Sequence, residues 1–241
     1  MENFNKTVLI GIQARSTSER LPRKAFEYIG SKRMLDHVLD ACFRAQKYSN
    51  KYADKKNYTV KVAVLCPYND PIKEAFQTQC DIIEGPEFDV LERYKIALEK
   101  TQAQFVCRIT GDCPLIPPYI ISKHISIAVQ GEYDYLSNVD EACRLSLDGI
   151  DCEVISDPML RWLNIESKLE SEREHVTIRA RTNPPQWAKR GFTASFFNQK
   201  GIKLSVDTKE DLERVRDEYL QVGEALREAH RKYDYDCIHR F

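Results

Sequence analysis

The sequence predicts an α/β fold, a mostly parallel mixed sheet with helices on both faces. Two observations carry this expectation. Through the first half of the chain, short β-type runs alternate with amphipathic segments of helical period. The spacing also leaves room for a helix between successive strands, the connection that parallel neighbours need. With 241 residues, the chain can build one such domain around a large core.

In chain order, Thr7 to Ile12 reads as a buried strand. From Met34 to Gln46, Leu35, Val38, Leu39 and Cys42 share one helical face. Lys47 to Asn57 is long and polar and reads as a surface insertion. Val60 to Cys66 is a second strand, followed by Asp70-Pro71, an N-cap with proline at the first helical position. Asp81 to Ile83 is a short strand, and Asp89 to Lys100 is a helix with Val90, Tyr94, Ala97 and Leu98 facing inward. Phe105 to Ile109 is another strand. Ligands of such sheets bind where strands end and loops begin, which singles out the loops after Ile12 and Ile109.

The second half is less regular. Tyr133 to Ser137, Cys152 to Ser156, Phe192 to Phe197 and Lys203 to Val206 read as strands. Helical patterns cover Asp157 to Leu169, Glu172 to Arg181 and Thr208 to Val222, the last opened by a capping box of Thr208 and Asp211. Asn183-Pro184-Pro185 marks a break. No repeat or low-complexity tract divides the chain. The expectation is a single domain over residues 1–241, with residues 133–200 forming a small substrate or dimer lobe. The charged tail from Ala225 to Phe241 carries no functional pattern.

Composition narrows the function classes. Charged residues make up 30% and the formal net charge is -1, so there is no general drive towards nucleic acid or anionic membrane. No apolar run is long enough to span a bilayer. Met1 to Lys6 is polar, unlike a signal peptide, and a cytoplasmic location is expected. The eight cysteines, Cys42, Cys66, Cys80, Cys107, Cys113, Cys143, Cys152 and Cys237, form no CxxC pair and read as reduced thiols.

The loop Gln13-Ala14-Arg15-Ser16-Thr17-Ser18-Glu19-Arg20-Leu21-Pro22-Arg23-Lys24 directly follows the first strand. It groups Arg15, Arg20 and Lys24 around small hydroxylated residues. Such a loop turns backbone N–H groups towards an anion, while arginines offer forked donors and lysine a point charge. Mutual repulsion of these cations favours a triphosphate pocket over the alternative, a basic surface turn. The loop is neither a Walker motif nor GxGxxG.

Arg108-Ile109-Thr110-Gly111-Asp112-Cys113-Pro114 ends a strand, with Gly111 expected to supply an unusual backbone angle. Leu204-Ser205-Val206-Asp207-Thr208 repeats the logic. Mg²⁺ takes one or two carboxylates together with substrate phosphates and waters. Asp112 and Asp207 fit that need if their loops converge. Taken singly, Asp207 reads equally as a helix-start charge and Asp112 as a turn residue.

Gln13 to Lys24 matches the QARxxSxRLPxK signature of the cytidylyltransferase family, the superfamily of the CMP-Kdo and CMP-sialic acid synthetases. The likeness extends through Gly85 and Asp89-Val90-Leu91-Glu92-Arg93-Tyr94, Arg108 to Pro114, and Tyr135-Leu136-Ser137-Asn138. It continues over Asp148 to Val154, Glu172-Arg173-Glu174-His175-Val176-Thr177 and Ser205 to Leu212. The chain thus resembles the SpsF-like branch, linked to spore-coat polysaccharide biosynthesis. The resemblance implies a GT-A-like nucleotidyltransferase fold with a Rossmann-like sheet, CTP as substrate and usually a homodimer. It implies nucleotide contacts from Gln13, Ala14, Arg15, Ser16, Ser18, Arg20, Lys24, Arg108 and Asp112, with Cys66 to Asn69 near base and ribose. Arg15, Lys24, Asp112 and Asp207 would be catalytic, and Asp112 and Asp207 would hold Mg²⁺. Asn138, Asp151, Glu153, Arg173, Glu174 and His175 would line the acceptor side. Ile178-Arg179-Ala180-Arg181 departs from the aromatic-rich sequence expected there, which leaves the acceptor open.

The expected reaction is attack of an acceptor oxygen on the α-phosphorus of CTP, releasing pyrophosphate, with a sugar or sugar acid as acceptor. His175 is a candidate base or an acceptor contact. Three other readings stand: a non-sugar phosphorylated or phosphonate acceptor, a GT-A glycosyltransferase, and a non-catalytic nucleotide-binding protein. The second lacks a DxD motif, since Asp134-Tyr135 has no second aspartate.

Overall fold

Alternation along the strands sets the architecture. In β1 (Lys6–Gln13), Val8, Ile10 and Ile12 face one core and Leu9 the other. In β4 (Tyr58–Pro67), Val60, Val62 and Val64 share the first core, while Ala63 and Leu65 face the second. A strand buried on both faces needs this continuous apolar sequence. The computed structural model describes residues 6–51, 57–139, 148–193 and 203–220.

Seven strands form one sheet, in the order β5 (Asp81–Gly85), β4, β1, β6 (Phe105–Thr110), β8 (Glu153–Ser156), β7 (Tyr135–Ser137) and β9 (Arg190–Phe192). The β5, β4, β1 and β6 strands run parallel, β8 is antiparallel to both its neighbours, and β9 is parallel to β7. A separate ribbon pairs β2 (Tyr28–Ile29) with β3 (Lys32–Arg33).

Helix α1 (Met34–Lys51) and helix α4 (Pro118–Gln130) pack together over one face, joined by α2 (Pro71–Phe76) and a helix over 209–220, here α8. Helix α3 (Val90–Thr101) and α5 (Asp157–Glu166) cover the other, with Val176 and Ala180 beside them. Asp70 caps α2 by accepting from Ile72 N at 2.9 Å, and Asp89 caps α3 by accepting from Glu92 N at 2.9 Å. Thr208 and Asp211 make the expected reciprocal box.

Several expectations need correction. Helix α4 is not among the elements expected from the sequence, and Pro114, Pro117 and Pro118 are residues that break a helix interior. Pro118 instead opens the helix, where a missing N–H costs nothing. The pattern Glu172 to Arg181 is two short helices, α6 (Glu170–Glu174) and α7 (Ile178–Thr182). They separate at Val176, whose φ of 57° is incompatible with a continuing helix. The pattern begun at Asp157 stops at Glu166, three residues short of Leu169. Lys203 to Val206 is no regular strand, because its hydrogen bonds go to turns. It makes a single bridge to Asp148, and Leu204 N donates to Asp148 O and Val206 N to Asp112 O. The final strand ends at Phe192, and the expected 194–197 part lies outside the described residues. So do Cys143, Cys237 and the tail from 225. The polar stretch from Lys47 extends α1 to Lys51 before residues 52–56, which also lie outside. The six described cysteines are free thiols. Among the described residues no helix is long and apolar enough to cross a membrane.

Candidate active site

Residues Gln13, Leu65 and Thr110 stand side by side in register near the C-terminal ends of β1, β4 and β6. The loops leaving β1 and β6 are therefore neighbours from their first residue. Gly111 N donates to Gln13 O at 2.8 Å. A Cβ on Gly111 would lie 3.0 Å from both Ala14 Cβ and Gln13 O. Gly111 is therefore required for close approach rather than for backbone angle, and its φ is not positive.

The basic loop folds back on itself. Arg23 N donates to Ser16 O at 2.8 Å, and Arg23 adopts the left-handed conformation, φ 59°, just before the 3₁₀ turn Lys24–Phe26. Asp70 anchors the loop from below: its Oδ2 accepts from Ser16 N at 2.9 Å and Ser16 Oγ at 3.1 Å. Thr17 donates to Glu87 at 2.5 Å, and Ser18 Oγ accepts from Leu21 N at 3.5 Å. The Ser16 N–H is thus engaged inside the protein. Ala14 N donates to Leu65 O.

One ammonium joins the two expected metal ligands. Lys24 Nζ donates to Asp112 Oδ2 at 2.8 Å, Asp207 Oδ1 at 3.2 Å and Val206 O at 2.8 Å. Arg20 reaches Asp207 Oδ1 at 3.0 Å and Lys203 reaches Asp207 Oδ2 at 3.0 Å. Burial alone would raise the Asp207 carboxyl, but Lys203 and Lys24 outweigh it and hold the group below the usual carboxylate range. Asp211 is held well below its usual range in the same way: burial opposes, while Lys203, Arg214 and the Asp207 and Thr208 N–H groups prevail. The loop cations are therefore not left to repel one another. Lys24 and Arg20 pair with aspartates, and Arg15 pairs with Glu174 at 3.2 Å. Among the described residues no group of three or more His, Cys, Asp or Glu is arranged to hold a metal. The Asp112 and Asp207 carboxylates, both bonded to the one Lys24 ammonium, suit Mg²⁺, which leaves its other positions to phosphate and water.

Other candidates fall into three groups. Arg108 donates through Nε to Gln13 Oε1 at 3.1 Å and forms a 2.5 Å ion pair with Glu153, which also accepts from Tyr135 Oη at 2.5 Å. Burial opposes ionisation of Glu153, but Arg108, Arg181 and Tyr135 keep its carboxyl below the usual range. Arg108 and Glu153, expected on the nucleotide and acceptor sides, thus form one buried pair. Asn138 clamps the β7–β8 connection, donating to Ile150 O and accepting from Cys152 N, both at 2.8 Å. Asp151 lies between the two clamped residues. Burial, then Asp112, Asp151 and Asp148, push the Cys113 thiol well up, so these carboxylates share one neighbourhood. Arg173 donates to Asp89 Oδ2 at 2.6 Å and to Asn164 O and Ser167 O, binding α6 to the start of α3. That anchorage places Glu174 against Arg15, while His175 is exposed at the helix end.

Asp70, Lys203 and Asp211 hold this edge together without a local pattern that marks them as part of a site. The local signals of Asp70 and Asp211 are helix caps and that of Lys203 is a strand-like run, and nothing local in Asp70-Pro71 points to Ser16, 54 positions away.

Residues 9–233 match the family model described as cytidylyltransferase. Spore coat polysaccharide biosynthesis protein SpsF of Bacillus subtilis is 29% identical over 221 residues, covering 90% of this chain and 88% of SpsF. A cytidylyltransferase structure from Leptospira borgpetersenii superimposes with TM-score 0.75 at 26% identity, covering 90% of this chain and 87% of that one. CMP:2-keto-3-deoxy-manno-octonic acid synthetase, solved with CTP, shares the fold with TM-score 0.64 at 19% identity, covering 90% and 99%. The chain belongs to the cytidylyltransferase family and is a CTP-dependent nucleotidyltransferase.

Proposed function

We propose that this enzyme transfers CMP from CTP to a sugar or sugar-acid acceptor, releasing pyrophosphate, in surface polysaccharide or glycoconjugate biosynthesis. The observation that carries the proposal is Lys24 bridging Asp112 and Asp207 beside Arg20, at the C-terminal edge of the parallel strands. Anionic leaving group and divalent cation need opposite charges side by side, and this edge supplies both. The relationship to SpsF and the shared fold of the CTP-bound synthetase support the choice of nucleotide and acceptor class.

Arg15, Arg20 and Lys24 neutralise the β- and γ-phosphates as pyrophosphate departs. Asp112 and Asp207 would hold Mg²⁺, which supplies Lewis-acid stabilisation of charge on the α-phosphate. Gln13 and Ala14, with Ser16 and Ser18 in the loop, shape the nucleotide side, while Arg108 fixes Gln13. Catalysis then rests on positioning and charge, without a covalent enzyme intermediate. Residues 133–200 form the acceptor and dimer lobe of a cytoplasmic homodimer. There Asn138, Asp151 and Glu153 set the floor, and Arg173, Glu174 and His175 set one wall. We assign His175 to acceptor contact, not to proton transfer.

Pyrophosphate release is measured with each of the four NTPs and Mg²⁺ against a panel of sugars, sugar acids, sugar phosphates and phosphonates. Release with CTP and a sugar or sugar acid is expected. Release only with a phosphonate or non-sugar phosphate replaces the acceptor assignment. Asp112→Asn is expected to lower turnover by roughly 10³-fold with the fold intact, and near-normal turnover with saturating magnesium would remove the metal model.

A further inference from the structure

Arg93, on α3, is 2% exposed, and the reaction as described does not use it. Its guanidinium donates to Leu65 O at 3.1 Å, Ala14 O at 3.4 Å and Glu87 O at 3.5 Å. Its Nε is buried without a hydrogen-bond partner. Its hydrogen-bond partners among the described residues are backbone carbonyls, and Asp70 is a carboxylate that acts on it only through space. The fold makes room for this side chain: a Cβ on Gly85 would come within 2.6 Å of Arg93 Cγ.

A buried cation facing only neutral carbonyls is costly. Arg15 adds a like charge nearby. An apolar side chain of similar volume would fill the space without that cost. The three carbonyls it holds belong to the segment entering the basic loop, to β4, and to the Gly85–Asp89 connection whose Glu87 receives Thr17. All three frame the same loop.

We infer that Arg93 is a positioning residue for the nucleotide: its fork fixes the Ala14 carbonyl that aims Arg15, and its counter-charge is the bound triphosphate. The inference rests on reading the basic loop as the triphosphate site.

The test is calorimetric affinity for CTP, CDP and CMP in wild type, Arg93→Gln and Arg93→Lys. In Arg93→Gln the loss should grow with phosphate number, about tenfold for CTP and under about twofold for CMP. Arg93→Lys keeps the charge and should restore most of the CTP preference. A structural role alone lowers the melting temperature but leaves the CTP-to-CMP ratio unchanged in both variants, and that result overturns the inference. If Arg93→Gln does not fold, the wild-type guanidinium ¹⁵N resonance missing from Arg93→Lys decides. It should shift with CTP and not with CMP, and no shift with CTP overturns the inference. Failure of the underlying site reading looks different, because wild type would then bind CTP no more tightly than CMP.

Discussion

Asp70 offers the sharpest separation between a local and a tertiary role. In sequence it caps a helix; in the structure it also holds the basic loop. Both residues of the contact are buried, Asp70 at 6% exposure and Ser16 at 9%. Asp70→Asn keeps an oxygen for Ile72 N but turns an NH₂ towards the Ser16 N–H. The cost is a lost charge-assisted bond and a stranded donor, about 2–3 kcal/mol. Asp70→Ala also removes the cap, adding about 1 kcal/mol. A cap-only role predicts almost no change for the asparagine variant. Urea unfolding measures the stability difference, and calorimetry measures CTP affinity, expected to fall roughly tenfold (about 1.4 kcal/mol) in Asp70→Asn as the loop loosens. Unchanged CTP affinity together with a stability loss under about 0.5 kcal/mol in that variant would refute the argument.

Glu153→Gln leaves the Arg108 guanidinium buried without its partner and should cost about 3–5 kcal/mol, read by denaturant unfolding; a loss under about 1 kcal/mol would show the pair to be dispensable. His124 is buried, donating from Nδ1 to Ile120 O and accepting from Thr193, and burial lowers its pKa to about 4. A free histidine titrates near 6.5. Between those values only the unfolded chain binds the proton, so stability is present above pH 6.5 and falls by about 3 kcal/mol towards pH 4. His124→Asn should lack that component, and parallel pH profiles of wild type and variant would contradict it. Gly149 has φ 100°, and a Cβ there would lie 2.4 Å from Leu204 C and Ser205 N. Gly149→Ala should cost roughly 3 kcal/mol and displace Asp207, lowering melting temperature and turnover together; an unchanged melting temperature would count against it.

The sequence by itself determined the parallel half of the sheet, its helices α1, α2 and α3, and the identity of the loops at its edge. Period-2 and period-3.6 patterns and caps act within a few residues, so Val8 to Ile12 or Asp89 to Leu98 declare themselves locally. The basic loop and Asp112 come just after strands that are legible in the same way, whereas Asp207 follows Lys203 to Val206, strand-like in pattern but held by turn hydrogen bonds. Only the tertiary structure decided which charges meet. Lys24 reaches Asp207 across 183 positions, Arg108 meets Glu153 across 45, and Arg15 meets Glu174 across 159. The same holds for segments without a regular partner. Lys203 to Val206 takes its place from bonds to Asp148 and Asp112, and the helical pattern after Glu172 breaks at Val176. Ion pairs and turn-to-turn hydrogen bonds have no sequence period. They exist only once parallel strands bring their ends to a common edge.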